Sequence, residues 1–241
     1  EKAFQFANAG VFSEYTVVPE ASIVKIDHDI PLDVAALVGC GVTTGFGSAV
    51  RTGEVRDGDA VVVMGVGGIG MNAIQGARIA GARVIVALDP IEYKRARSLE
   101  FGATHTAATL AEAQALVADL TRGAMADACI VTTDSAEGAY VAQALSLVGK
   151  RGRAVMTAIP HPTDITVDMS LFDLTLYEKQ VRGSLFGSSN PRSDIPRLLD
   201  LHKSGQLKLG ELITREYSLE EVNQGYADMH AGVNIRGLIR Y

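Results

Sequence analysis

Between residues 60 and 81 the chain runs AVVVM, GVGGIG, then MNAIQGARIAG, and no other stretch restricts the possible folds as tightly. Residues 60–64 are a continuous apolar run, as expected of a strand buried on both faces of a parallel sheet. The glycine-rich hexamer 65–70 interrupts it. Ile74, Ala77 and Ile79 then recur at helical spacing until Gly81, a C-terminal glycine stop. Strand, glycine turn and helix in immediate succession open a βαβ unit. The alternation continues, with strands predicted at 84–88, 104–106, 127–132, 153–158 and 181–186 and helices at 92–101, 110–120 and 136–148. Strands separated by helices of about ten to fifteen residues specify an α/β fold with a parallel, doubly wound sheet.

The flanks lack this rhythm. Residues 11–26 (VFSEYTVVPEASIVKI) alternate apolar and polar side chains like a half-buried strand broken at Pro19. Residues 31–53 are apolar and punctuated by Gly39, Gly41, Gly45 and Gly47. Beyond 190 the pattern predicts a helix at 195–202, an extended segment at 211–217, a helix at 219–229 and a strand at 235–241. The expected organisation is therefore an α/β domain over 41–189, with 1–40 and 190–241 belonging to a second lobe.

Composition narrows the function classes. With 241 residues, 47% of them hydrophobic, and a net charge of −6, the chain is excluded from the disordered class. The acidic balance is the reverse of a nucleic-acid binder's basic footprint. Cys40 and Cys129, the two cysteines, make no disulfide framework, which points to a reducing, cytoplasmic compartment. The apolar run at 60–71 falls short of the roughly 20 residues a bilayer requires, so no membrane partner is expected. The opening Glu1-Lys2 has neither Met nor an apolar signal region. The chain is expected to begin inside a longer protein.

The hexamer has the chemistry to hold a phosphate pair. Gly65 permits the tight turn, Gly67 lets backbone approach a pyrophosphate, and Gly70 lets helix and strand pack closely, with Gly68 counted beside them as a cofactor-binding candidate. Helix-terminal N–H groups favour the anion. Asp89 stands at the end of the second strand, 89 − 70 = 19 residues past the last glycine. A carboxylate there accepts hydrogen bonds from an adenosine ribose and repels a 2′-phosphate, selecting NAD over NADP in a Rossmann-type domain. Glycines used only for turns and packing are one alternative. An S-adenosylmethionine-dependent methyltransferase, which pairs a glycine loop with an acid after the second strand, is another. The third glycine and the uncharged first strand favour the dinucleotide. A short-chain dehydrogenase is excluded, since none of the seven tyrosines has Lys four residues on.

Taken together, GCGVTTGFGSAV (39–50), VVVMGVGGIGMNAIQGARIAGA (61–82), Asp89, FGATH (101–105) and NIRGLIRY (234–241) resemble the zinc-dependent alcohol dehydrogenases of the medium-chain dehydrogenase/reductase family. The class III (thiol-adduct formaldehyde dehydrogenase) branch and the bacterial nitrosoaniline-dependent enzymes are the most similar in pattern. The resemblance implies a β-rich, GroES-like catalytic domain, then the Rossmann domain, then a return to the catalytic domain. It also implies hydride transfer between an alcohol or aldehyde and NAD, with a catalytic zinc.

Cys40 matches one zinc ligand, while the segment carrying the family's other ligands has no counterpart here. Catalytic zinc takes three protein ligands, so this chain is expected to hold no stable zinc and to turn over no alcohol unaided. The resemblance further implies that Thr44 lines the nicotinamide pocket as the catalytic candidate, and that Ile69 presses on the ring. Lys94 would lie near the adenosine ribose, and Arg236 would pair with the pyrophosphate. Backbone around Thr157, Ile159, Ser184 and Phe186 would hold the carboxamide. Cys129 reads as core, and the five histidines show no metal spacing. A homo-oligomer is expected through the sheet edge near 181–186. A free-standing cofactor-binding module without catalysis remains the alternative function, beside the methyltransferase.

Overall fold

The computed structural model describes residues 12–161, 163 and 166–241. A long helix, α1 (Leu32–Thr52), precedes the first strand. Then come β1 (Ala60–Met64), α2 (Gly68–Ile79), β2 (Val84–Leu88), α3 (Glu92–Phe101), β3 (His105–Ala107) and α4 (Leu110–Leu120). The second half adds β4 (Ala126–Val131), α5 (Gly138–Leu147), β5 (Val148–Met156), α6 (Leu171–Leu176) and β6 (Gln180–Gly183). After α7 (Pro191–Lys203), the strands β7 (Ile213–Tyr217) and β8 (Arg236–Ile239) bracket α8 (Val222–His230).

Six strands form one parallel sheet in the order β3-β2-β1-β4-β5-β6. This is the doubly wound α/β arrangement that the sequence pattern specifies. The order reverses between β1 and β4, and ligands of such sheets bind in the crevice outside the carboxyl ends at that point. All five residues of β1 and of β2 are buried, which is why both read as unbroken apolar runs. Val61 and Val63 pack with α1, α2 and α7 on one face; Val62 and Met64 join Val117, Leu145 and Leu147 on the other.

One stretch differs from expectation, and a second, to which the sequence pattern assigns no element, proves to be helical. Residues 12–26 form no strand: Tyr15 and Val17 are 87% and 96% exposed. A strand needs a neighbour for its backbone hydrogen bonds, and none stands beside this segment among the described residues. Conversely, 32–52 is not broken by its glycines but is one helix, with π-type turns at Val38–Val42 and Ser48–Thr52. Its glycines mark close packing instead. A Cβ on Gly45 would strike the Ile69 carbonyl and come within 2.9 Å of the Ala73 nitrogen; one on Gly76 would lie 2.9 Å from the Phe46 carbonyl. By length and composition α1 could cross a membrane (mean hydropathy 1.3), yet 61% of that window is buried inside the protein, as in a core helix. It passes residue 40 without a break, and Leu198 and Leu199 of α7 join the core that α1 and α2 share.

The parallel pair β7–β8 carries the last segment of the chain. It is braced by Asp228 of α8, which accepts from Tyr217 Oη (2.7 Å), Gln224 Nε2 (2.8 Å) and Arg215 (2.9 Å). These bonds, the tyrosine's foremost, hold the Asp228 carboxyl below its ordinary pKa.

Two predictions follow from this packing. Gly45→Ala should destabilise the chain by about 1–3 kcal/mol through overpacking. Gly39→Ala, where the same helix has open space, should be neutral or stabilising; thermal melts of the pair check the contrast. For Asp228 the depressed folded-state pKa means its stabilisation is present above the unfolded value of about 3.9 and is lost as pH falls through the folded one. Asp228→Asn should therefore lower Tm at neutral pH and flatten the decline of Tm in acid, as melts between about pH 7 and 3 would show.

Candidate functional site

The crevice at the β1/β4 switch has a volume of about 500 Å³, within the usual range for small-molecule sites. Its floor is the turn from β1 to α2. Gly65 adopts φ +86°, and a Cβ there would lie 2.8 Å from the Thr133 nitrogen. Gly70 faces the Gly65 carbonyl so closely that a Cβ would collide with it; Thr132 Oγ1 donates to the same carbonyl at 2.5 Å. Gly70 is thus a packing residue and does not line the crevice. Gly67 is different: nothing lies within 4 Å of where its Cβ would be, so the backbone opens directly onto the crevice.

Gly67 is also the N-cap of α2, and no side chain caps the helix. The first N–H groups of an uncapped helix lack acceptors and carry the positive end of its dipole. Above them lies Arg236, at the start of β8. Its guanidinium packs over Gly68 and Gly41, where a Cβ on either glycine would run into it. Desolvation lowers its pKa, Cys40 nearby acts in the opposite direction as the smaller influence, and no Asp or Glu among the described residues pairs with it. A half-buried cation beside uncapped amides suits an anionic ligand better than an apolar one.

Asp89 closes the opposite wall. It is buried, with Oδ2 accepting from the Val66 N–H and Oδ1 from the Ile91 N–H, both at 2.9 Å. Two of a carboxylate's roughly four acceptor positions are so occupied, leaving capacity for ligand hydroxyls. Lys94 and Ile69 line the same crevice. The structure therefore gathers Gly65, Gly67, Gly68, Ile69, Asp89, Lys94 and Arg236 around one space.

The remaining candidates lie elsewhere. Thr157 and Ser184 stand just past the carboxyl ends of β5 and β6, buried, with both hydroxyls on Ser48 of α1. Thr44 is buried one turn earlier, its carbonyl accepting from Ser48 Oγ at 2.7 Å. Phe186 follows with a left-handed φ of +53°, and Ile159 is 74% exposed. Cys40 is exposed on α1, in a groove that it shares with Gly41 and Arg236. Among the described residues no three His, Cys, Asp or Glu side chains come together to hold a metal. These residues do not by themselves fit a catalytic zinc.

Several lining residues carried no sequence signal: Thr132, Tyr140, His230 and Asn234 reach the crevice only because distant segments converge there. Asn234 alone could have been suspected, standing two residues before Arg236.

Comparison with known proteins agrees with this geometry. The family model described as zinc-binding dehydrogenase matches residues 68–204. The NDMA-dependent alcohol dehydrogenase of Amycolatopsis methanolica is 50% identical over 232 residues, covering 96% of this chain and 62% of that protein. Alcohol dehydrogenase B of Mycobacterium tuberculosis (strain ATCC 25618 / H37Rv) is 49% identical with the same coverage. Among solved structures, an alcohol dehydrogenase zinc-binding domain protein from Burkholderia ambifaria superposes with a TM-score of 0.83 at 30% identity, over 90% of this chain and 58% of that one. The chain thus spans about three fifths of the length of these relatives. A methyltransferase is not compatible with this membership. With its open glycine turn, its acid after β2 and its match over most of the α/β sheet, the chain belongs to the zinc-binding dehydrogenase family, as a homologue of the bacterial NDMA-dependent alcohol dehydrogenases.

Proposed function

We propose that this chain forms the NAD-holding part of an alcohol dehydrogenase that transfers hydride between an alcohol or aldehyde and the nicotinamide. The observation that carries the proposal is the half-buried Arg236, paired with no carboxylate among the described residues, above the uncapped start of α2 and across the crevice from Asp89. The amides at Gly67 and Gly68 and the Arg236 fork would bind the diphosphate. Asp89, already fixed by two amides, would receive the ribose hydroxyls and repel a 2′-phosphate. Lys94 would flank that ribose, and Ile69 would bear on the nicotinamide ring near Thr44. Backbone past β5 and β6, at Thr157, Ile159, Ser184 and Phe186, would take the carboxamide. NAD supplies the hydride chemistry; the protein's share is binding, orientation and electrostatics.

Cys40 is proposed as one zinc ligand of the longer enzyme, and the described residues offer no second and third beside it. The chain by itself is therefore a cofactor-binding unit that turns over no alcohol. A homo-oligomer formed at the β6 edge belongs to the same proposal, since β6 ends the sheet and unpaired edges are normally covered. So does a reducing, cytoplasmic setting: both cysteines are free, and burial pushes the Cys129 thiol up to about 12.

Titration with NADH should raise the melting temperature saturably, because a ligand that binds only the folded state stabilises it. An unchanged melt would overturn the proposal. Asp89→Gly should erode the preference for NAD over NADP by about tenfold, the worth of one charged hydrogen bond. Metal analysis of the purified chain should find zinc well below one equivalent; stoichiometric zinc would show a ligand set beyond Cys40.

A further inference from the structure

Beyond the carboxyl ends of β5 and β6, five hydroxyls form one connected chain. Thr157 Oγ1 lies 2.9 Å from Ser48 Oγ, Ser48 3.1 Å from Ser184, Ser184 2.8 Å from Thr52, and Thr52 2.9 Å from Ser188. Three segments meet in it: α1 through Ser48 and Thr52, the end of β5 through Thr157, and the segment after β6 through Ser184 and Ser188. All but Ser188 are buried.

The protons in this chain have one consistent order. A hydroxyl has a single hydrogen and two acceptor positions. Ser48 gives its hydrogen to the Thr44 carbonyl, so it must accept from both Thr157 and Ser184. Ser184 then accepts from Thr52, and Thr52 from Ser188. The line runs Ser188 to Thr52 to Ser184 to Ser48 to the Thr44 carbonyl, with every buried hydroxyl satisfied. Satisfied buried networks of this kind rigidify what they join.

What they join is strained. Phe186, Gly187 and Ser188 are consecutively left-handed, at φ +53°, +65° and +50°. L-residues avoid this region, and such turns persist only where the surroundings over-determine them. Here the residues on both sides, Ser184 and Ser188, bond the same Thr52 hydroxyl. In the middle, Gly187 rests on α1, where a Cβ would lie 2.6 Å from the Thr43 and Thr44 carbonyls.

The location gives the clamp a purpose. With the adenosine half anchored after β2 by Asp89, the other half of a dinucleotide lies across the switch point, over the carboxyl ends of β4, β5 and β6. We propose, resting on the NAD reading above, that Ser48, Thr52 and Ser188 are positioning residues. Their directional hydroxyl chain holds the left-handed Phe186–Ser188 turn in the backbone shape that receives the nicotinamide half.

The test compares NADH with ADP-ribose, which keeps the adenosine diphosphate half and lacks the nicotinamide, by calorimetric titration of the chain and its variants. Thr52→Val should weaken NADH about tenfold, as loss of a buried hydrogen-bond partner does. ADP-ribose, held at the distant Asp89 end, should change by less than about twofold. Thr52→Ser, which keeps the hydroxyl, should restore NADH binding. Ser188→Ala, at the exposed end of the chain, should repeat the selective loss without emptying any buried space. Equal losses for both ligands would show a merely structural role, and no loss for either would show that the turn needs no clamp; each overturns the inference alone. A wild-type chain that binds neither ligand would overturn the NAD proposal itself.

Discussion

Helix α2 begins without a cap, and its surroundings are arranged about those unsatisfied amides. Unpaired N–H groups facing a crevice are costly unless water or a ligand accepts from them. Here the expense is compounded: a second positive group, the half-buried Arg236, packs over the same turn. No carboxylate among the described residues pairs with Arg236; Asp89, which lines the same crevice, is tied to the Val66 and Ile91 amides. Positive potential at one glycine with an acid beyond it is the feature on which the proposal of an anion attached to hydroxyls rests.

Three distant parts of the chain keep that arrangement in place. Helix α1 packs on α2 through glycines, so the backbone that carries Thr44, Ser48 and Thr52 lies close against the crevice floor. The β7–β8 pair, braced by Asp228, delivers Arg236 from near the end of the chain. Strands β5 and β6 present Thr157 and Ser184 to α1, and their hydroxyls meet at Ser48. Each part is local in structure and remote in sequence. This explains why the crevice at the glycine turn is compact while the region beyond β5 and β6 depends on buried side-chain bonds.

The legibility of the residues follows the range of the physics behind them. Gly65 and Gly70 were readable because a tight turn and a close helix–strand approach leave no room for side chains, a constraint met within six residues, whereas Gly67 leaves its backbone open to the crevice. Asp89 was readable because the βαβ unit fixes its distance from the turn. The glycines of α1 left the element there unassigned, for the opposite reason. Gly45 and Gly47 serve contacts with α2 and with Gly187, and sequence spacing cannot distinguish a glycine that bends a chain from one that admits a neighbour. Residues 12–26 misled, since alternation shows which face a strand would bury but not whether a partner strand stands beside it.

By itself, then, the sequence determined the six-strand parallel sheet, the glycine turn and its acidic partner, because backbone sterics and hydrophobic periodicity act over short distances. Only the tertiary structure decided that Arg236 packs over Gly68, that Ser48 and Thr52 meet Ser184 and Ser188, and that 32–52 is one core helix. Those contacts join residues more than a hundred positions apart or depend on which surfaces become neighbours, and no local pattern of side chains encodes that choice.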